Sequence, residues 1–347
     1  KKLGIKVKIK NKICEIYGRG INGYNYKKNI IINAENSGTL GRLILGLLIN
    51  STYPIKLIGD KSLSKRDFKR ISDPLSKFGA KFKLKKNKNL PLNILGSKNL
   101  KPIRYNELRG SAQCKSSIIL ASLKTKGETI IKAKKSRNHT ELLCRHLNLP
   151  IQIKKFNNSD LIKINNKNKL LNIKSLNYKI PGDISSASFF LILTALNENS
   201  KLIIKNVNIN DSRIGVIKIL KLMGVKIKFL NKKIYKGEKI SDIYVEGCKK
   251  LKPIKCPTKL NSGAIDEFLT IFLLAAKADG ISYFNNLQEL NQTNINSLKK
   301  QTLETLIQLK LKIIELSNYD FVATDTEINQ YLNSISSNNI ESLEKKF

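Results

Sequence analysis

The sequence predicts an α/β fold of two domains built from repeated β-α-β-α-β-β units. Three observations carry that prediction. The chain has 347 residues, too many for one compact core and enough for two. Two kinds of helical segment alternate along it, one apolar on every face and one amphipathic, with short β-branched stretches after them. The polar start of the apolar kind recurs at near-constant intervals: 74 residues from Ser37 to Ser111, 74 from Ser111 to Ser185, and 81 from Ser185 to Asp266. A period this long exceeds a solenoid repeat and points to whole structural units.

The elements follow in order. KKLGIKVKI at the start reads as the tail of an amphipathic helix and its strand. NSGTLGRLILGLLIN (36–50) is the first apolar helix, opened by a small polar cluster. SKRDFKRISDPLSKFGAKFKL (64–84) is the first amphipathic helix, closed by glycine and followed by a strand, and KKNKNLPLN (85–93) reads as a hairpin turn or loop. The pattern returns at GSAQCKSSIILASL (110–123) and SRNHTELLCRHLNLPIQI (136–153), with NNKNKLLN (165–172) as a loop. It returns again at PGDISSASFFLILTAL (181–196) and DSRIGVIKILKLMGVKIKF (211–229). The fourth occurrence is SGAIDEFLTIFLLAA (262–276) with INSLKKQTLETLIQLKLKII (295–314).

Composition narrows the function classes. Apolar residues at 41% and charged residues at 26% fit a soluble globular protein. The longest apolar runs, such as Phe268–Ala276, are far too short for a membrane span. Lys1 opens the sequence without a methionine and no apolar signal region follows, so a piece of a longer cytoplasmic protein is expected. Cys14, Cys114, Cys144, Cys248 and Cys256 are odd in number and form no C-x-x-C pair. Neither a zinc site nor a disulfide framework is indicated, and buried free thiols are expected. The net charge of +38 invites a nucleic-acid reading, but only nine of the 64 basic residues are arginines and lysine fills even the turns. This is a chain-wide bias without the aromatic interleaving of single-strand binders, so no nucleic-acid partner is expected. The field still draws in small anions.

Each apolar helix opens on residues that satisfy or expose backbone N–H groups: Ser37-Gly38-Thr39, Ser111-Ala112-Gln113, Asp183-Ile184-Ser185 and Asp266-Glu267. N-capping explains any one of them. Four in register present helix N-termini at corresponding places, and such ends suit phosphates and carboxylates. Capping does not explain Arg42, Arg66 and Arg137, which stand within or just behind these junctions while lysine covers the ordinary surface. A guanidinium fork grips a carboxylate or phosphate bidentately, which lysine cannot do. NSGTLGR therefore reads as part of an anion pocket. For Arg42 alone, a structural pair with a carboxylate is the alternative.

The ordered set NSGTLGRL, SLSKRDFKRISDPLSKFGA, GSAQCKSS, SRNHTE, PGDISSASFF, SRIGVIKILKLMG and IDEFLTIFLLAA resembles the 5-enolpyruvylshikimate-3-phosphate synthase (3-phosphoshikimate 1-carboxyvinyltransferase) family over residues 3–315. The related UDP-N-acetylglucosamine enolpyruvyl transferases are the second candidate, and SLSKRDFKR and SRNHTE favour the first. The resemblance implies the two-domain enolpyruvyl-transferase fold, an inside-out α/β barrel, with a first domain at 1–177, a second at 178–323 and a divergent tail at 324–347. It implies transfer of the enolpyruvyl group of phosphoenolpyruvate to the 5-hydroxyl of shikimate 3-phosphate with release of phosphate, on the route to chorismate and the aromatic amino acids. No metal or cofactor is implied, and a cytoplasmic monomer without membrane partners is expected.

By resemblance, Gly38, Thr39, Arg42, Arg66 and Gln113 form the phosphoenolpyruvate site. Ser111, Ala112, Gln113, Ser136, His139 and Asp266 form the shikimate 3-phosphate site. Asp266 matches the carboxylate that takes the proton from the 5-hydroxyl. His139 stands where the family places an aromatic or histidine near the substrate, with helix capping as its alternative; His146 reads as structural. Several departures stand beside this. The family's N-terminal Lys-Ser-x-x-x-Arg segment is expected before Lys1, its C-terminal His-Arg pair and late lysine have no counterpart here, and the stretch from Thr324 is unlike the family. Thr293, Asn294 and Ser297 stand where the family carries Lys-Glu-x-x-Arg. Asp67 replaces a usual proline, and Leu43 stands where proline is frequent. Two expectations of different class follow: a piece of a working transferase, or a non-catalytic homologue that only binds anions.

Overall fold

Alternation of buried helix, exposed helix and hairpin is what the chain forms. The computed structural model describes residues 1–167, 171 and 173–287. The helix expected at 295–314, the departures at Thr293, Asn294 and Ser297, and the stretch from Thr324 lie outside the described residues.

The chain opens with an antiparallel hairpin of β1 (Lys6–Lys10) and β2 (Ile13–Tyr17). The first complete unit runs β3 (Ile31–Asn33), α1 (Gly38–Leu47), β4 (Ile55–Ile58), the short α2 (Lys61–Ser64), α3 (Lys69–Ser76), β5 (Lys81–Lys85) and β6 (Asn89–Leu95). The second runs β7 (Arg104–Glu107), α4 (Ala112–Ser122), β8 (Gly127–Lys134), α5 (His139–His146), β9 (Ile151–Lys155) and β10 (Ser159–Asn166). The third contributes α6 (Ile184–Leu196), β11 (Lys201–Asn208), α7 (Gly215–Leu222), β12 (Ile227–Tyr235) and β13 (Glu238–Glu246). The fourth begins with β14 (Lys255–Cys256), a 3-10 turn at Thr258–Gly263, α8 (Phe268–Ala276) and β15 (Tyr283–Phe284).

The sheets repeat what the sequence repeats. The strand orders β3-β4-β6-β5 and β7-β8-β10-β9 are the same, with the first pair parallel and the others antiparallel. The third sheet, β11-β13-β12, keeps the last three positions, and a single parallel bridge from Gly182 to Val207 stands for its first strand. In the fourth unit β14 pairs parallel with β15 across α8. A parallel pair requires a crossover, which the apolar helices supply; the sequential antiparallel pairs β5/β6, β9/β10 and β12/β13 need only short turns. Lys86 and Asn87, at φ 48° and 58°, make the turn between β5 and β6.

Side-chain size sets how the helices meet. A Cβ on Gly46 of α1 would stand 2.2 Å from the carbonyl oxygen of Ser117, so α1 and α4 touch backbone to backbone. α4 is buried on all sides, including Lys115, Ser116 and Ser117. One connected apolar core runs from Ala34 to Ile164, with Phe68, Phe78 and Leu45 fully enclosed. A further set of buried side chains, among them Leu191, Ile219, Ile243 and Phe268, lies in the third and fourth units. Residues 1–286 form one compact unit.

Two expectations are corrected. α6 is apolar all round but not buried all round: Phe189 and Phe190 are 51% and 58% exposed. Of the five thiols, Cys114, Cys144 and Cys256 are buried, whereas Cys14 is exposed and Cys248 half-buried, because both sit on β-hairpin or loop surface rather than a helix core. Burial pushes the Cys114 and Cys144 thiols up to about 12. Among the described residues no helix is long and apolar enough to cross a membrane.

Candidate active site

The site is built from helix starts. Ser37 caps α1, its Oγ accepting from Leu40 N–H at 3.1 Å. The next residue is Gly38, and a Cβ there would stand 3.3 Å from Arg66 Nη1 and 3.7 Å from Arg42 Nη1. Two guanidinium groups thus close on one backbone position, where a larger residue would press the Arg66 fork outward. Arg42 is 5% exposed and stacks over the Phe68 ring at 5.6 Å. Its Nη1 donates to Gln113 Oε1 on α4, and Gln113 Nε2 donates to Thr39 Oγ1 at 3.0 Å. Thr39, Arg42 and Gln113 therefore tie the start of α1 to the start of α4. Burial pushes the Arg42 guanidinium down to about 10, with repulsion from Arg70 and Arg66 adding to it. It remains a cation at neutral pH, and the Nε atoms of Arg42 and Arg70 are buried without partners among the described residues. Such a crowd of cations is mutually repulsive and favours an anion in the space it faces.

α4 starts on Ser111, whose Oγ accepts from Cys114 N–H at 3.3 Å. Glu107 at the end of β7 accepts from the Ser111 and Arg109 backbone N–H groups at 3.0 and 3.2 Å, fixing the entry to the helix. A cavity of about 340 Å³ opens beside this turn, lined by Arg70, Tyr105, Glu107, Arg109 and Ser111. The α5 start carries Ser136, Arg137 and His139. Ser136 Oγ is buried with no partner among the described residues. Arg137 Nη2 forms an ion pair with Asp266 Oδ2.

The third and fourth units meet at helix starts in the same way. Asp183 caps α6, accepting from Ser186 N–H at 3.0 Å. Arg213 Nη2 donates to Asp183 Oδ1 at 3.0 Å and to Ser185 Oγ at 2.6 Å, and Ser185 Oγ donates to Glu267. Burial raises the Glu267 carboxyl above its ordinary value, against the opposing pull of the Ser185 hydrogen bond and Arg213. The fourth polar cluster is thus not a cap. α8 has no side-chain cap, and both carboxylates turn to other elements, Asp266 to Arg137 and Glu267 to Ser185.

The structure brings the first group of expected residues together and divides the second. Gly38, Thr39, Arg42, Arg66 and Gln113 form one cluster. Ser111 and Ala112 start the same α4 that carries Gln113. Asp266 meets the α5 start through Arg137. His139 turns away: its Nδ1 lies 2.5 Å from Glu238 Oε1, and Asn210 Nδ2 donates to Glu238 Oε2 at 3.0 Å. Burial alone would raise the Glu238 carboxyl, but the His139 and Asn210 contacts outweigh it and its pKa lies below the ordinary value. Arg70, Arg213 and Glu238 are partners that sequence reasoning missed. Arginine scarcity is a signal for the first two; nothing local marks Glu238.

Comparison with known proteins finds relatives over most of the chain. The family model for EPSP synthase (3-phosphoshikimate 1-carboxyvinyltransferase) matches residues 1–343, which runs through the stretch from Thr324 where the motifs show no resemblance. A 3-phosphoshikimate 1-carboxyvinyltransferase of Petrotoga mobilis is 36% identical over 302 residues, 86% of this chain and 68% of that protein. The solved structure of EPSP synthase from Acinetobacter baumannii aligns with a TM-score of 0.70 and 36% identity, covering 80% of this chain and 62% of that one. The enolpyruvyl transferase NikO from Streptomyces tendae shares the fold at a TM-score of 0.50 and 15% identity, over 69% of this chain and 54% of its own. The chain spans 62% of the length of the Acinetobacter enzyme and 68% of the Petrotoga one.

Proposed function

The chain belongs to the EPSP synthase (3-phosphoshikimate 1-carboxyvinyltransferase) family, and from that premise we propose that its helix starts hold phosphoenolpyruvate and shikimate 3-phosphate as two anions side by side. The observation that carries this is the closure of Arg42 and Arg66 on Gly38, with Gln113 bonded across to Thr39 and Arg42. Two forks and a helix N-terminus suit the carboxylate and phosphate of phosphoenolpyruvate. Ser111, Ala112 and Gln113 at the start of α4, with the unpartnered Ser136 hydroxyl, suit shikimate 3-phosphate. The same reading divides the chain into domains at 177 and 178.

The family reaction adds the 5-hydroxyl oxygen to C2 of phosphoenolpyruvate while C3 gains a proton; the C3 proton and phosphate then leave. Asp266 is the proposed base for the hydroxyl proton. An ion pair with Arg137 occupies this carboxylate. An anionic substrate that draws Arg137 to itself releases Asp266 to the hydroxyl. The cations spread around the Gly38 cluster stabilise the charge that develops on the departing phosphate. Thr293, Asn294 and Ser297 favour a second outcome for this chain, binding without steady turnover, because a lysine, an acid and an arginine of the family are neutral here.

The test is calorimetric titration of shikimate 3-phosphate at physiological salt, with glucose 6-phosphate as control because a +38 chain attracts any phosphate. Selective binding of shikimate 3-phosphate is expected. Equal, salt-sensitive binding of both, or none, would sink the proposed site. Steady phosphate release from the two substrates in a coupled assay would sink the expectation of binding without turnover.

A further inference from the structure

α4 and α5 are joined by an ion pair that no solvent reaches. Lys115 is 0% exposed, and its Nζ lies 2.6 Å from Oε1 of Glu141, whose side chain is 2% exposed. Beside it, Ser116 Oγ and Thr140 Oγ1 share a hydrogen bond of 2.7 Å. Lys115 stands one turn after Ser111, and Glu141 lies in the first turn of α5. The pair therefore connects the two helix ends that carry Ser111, Gln113, Ser136 and His139.

Its energetics do not favour a stabilising role. Among the described residues Glu141 Oε2 is buried with no partner, and the Lys115 ammonium makes no well-aligned hydrogen bond despite the short contact. A cation in the first turn of α4 runs against the helix dipole, while the carboxylate in the first turn of α5 runs with it. A buried pair with unmet hydrogen-bonding capacity is replaceable by apolar side chains of similar volume without loss of stability. Such a pair does resist sliding. Any shift of one helix along the other separates two charges that water cannot reach, whereas packed methyl groups tolerate it through a change of rotamer.

We propose that Lys115 and Glu141 are positioning residues, which fix the first turn of α4 against the first turn of α5 so that both face one anionic ligand. The role rests on the proposed shikimate 3-phosphate site. The test compares the parent chain with the double variant K115M/E141M by urea unfolding, by amide hydrogen exchange of the ligand-free protein, and by calorimetry with shikimate 3-phosphate. The variant is expected to keep the parent's urea midpoint and to exchange at least tenfold faster at 111–117 and 136–142 only. It is also expected to bind shikimate 3-phosphate at least tenfold more weakly. Exchange within twofold of the parent at both turns would overturn the proposal. So would a double variant that fails to fold, since the pair would then be needed for stability. Hydrogen exchange decides the pair without any ligand. A parent chain that does not select shikimate 3-phosphate sinks the site reading separately.

Discussion

Arg66 shows what one side chain contributes. It is exposed, it follows the short α2, and its Nη1 reaches the point where Gly38 lacks a Cβ. Nothing in the core depends on it, so Arg66→Lys should leave thermal stability unchanged. The lysine keeps the charge and loses the fork, which should weaken phosphoenolpyruvate binding by roughly tenfold. Calorimetry on the variant and the parent checks this; equal affinity would show that Arg66 acts as a diffuse charge only. Arg42 differs because burial, the Phe68 ring and Gln113 all hold it. Among the described residues its side-chain partner is the Gln113 amide rather than a carboxylate.

At the scale of elements, the polar clusters divide by the work they do. Ser37, Ser111 and Asp183 cap their helices, while the fourth cluster sends its carboxylates elsewhere. Asp183 combines its cap with a bond from Arg213. Asp183→Ala should therefore cost about 0.5–2 kcal/mol, the usual range for a lost cap. Urea denaturation measures it, and a loss within a few tenths would mean that solvent satisfies the α6 start as well as the side chain does. The exposed Phe189 and Phe190 show the limit of periodicity. An apolar pattern on every face states that burial would be favourable, not that neighbouring elements supply it.

For the molecule as a whole, one lysine links folding to pH. Lys124 follows α4 and donates from Nζ to Leu47 O at 2.7 Å and Asn50 Oδ1 at 2.6 Å, with the Tyr24 ring 5.1 Å away. Burial pushes it down to about 8 from an ordinary 10.5. Between those values the unfolded chain holds a proton that the folded chain has lost, so this group makes stability rise with pH across the window. The slope is at most about 1.4 kcal/mol per pH unit. Falling net charge pushes the same way, so the parent must be compared with Lys124→Met. The parent's melting temperature should gain on the variant's between pH 8 and 10.5; parallel curves would mean that Lys124 keeps its proton when buried.

The sequence by itself determined the repeat, the order of elements and the positions of the helix starts. Each is written locally, in hydrophobic period, in glycine and asparagine turns, and in small polar residues before apolar runs. It also placed the Gly38, Thr39, Arg42, Arg66 and Gln113 group, since scarce arginines beside helix starts are a local signal and the family resemblance supplied the rest. Tertiary structure alone decided which side chains across the chain became partners. His139 met Glu238, 99 residues away, and Asp266 met Arg137, 129 residues away. Lys115 met Glu141 inside an apolar core where its sequence neighbours give no hint of a charge. Pairings of this kind depend on how sheets and helices stack, and that geometry is fixed by packing over the whole fold rather than by any stretch of sequence.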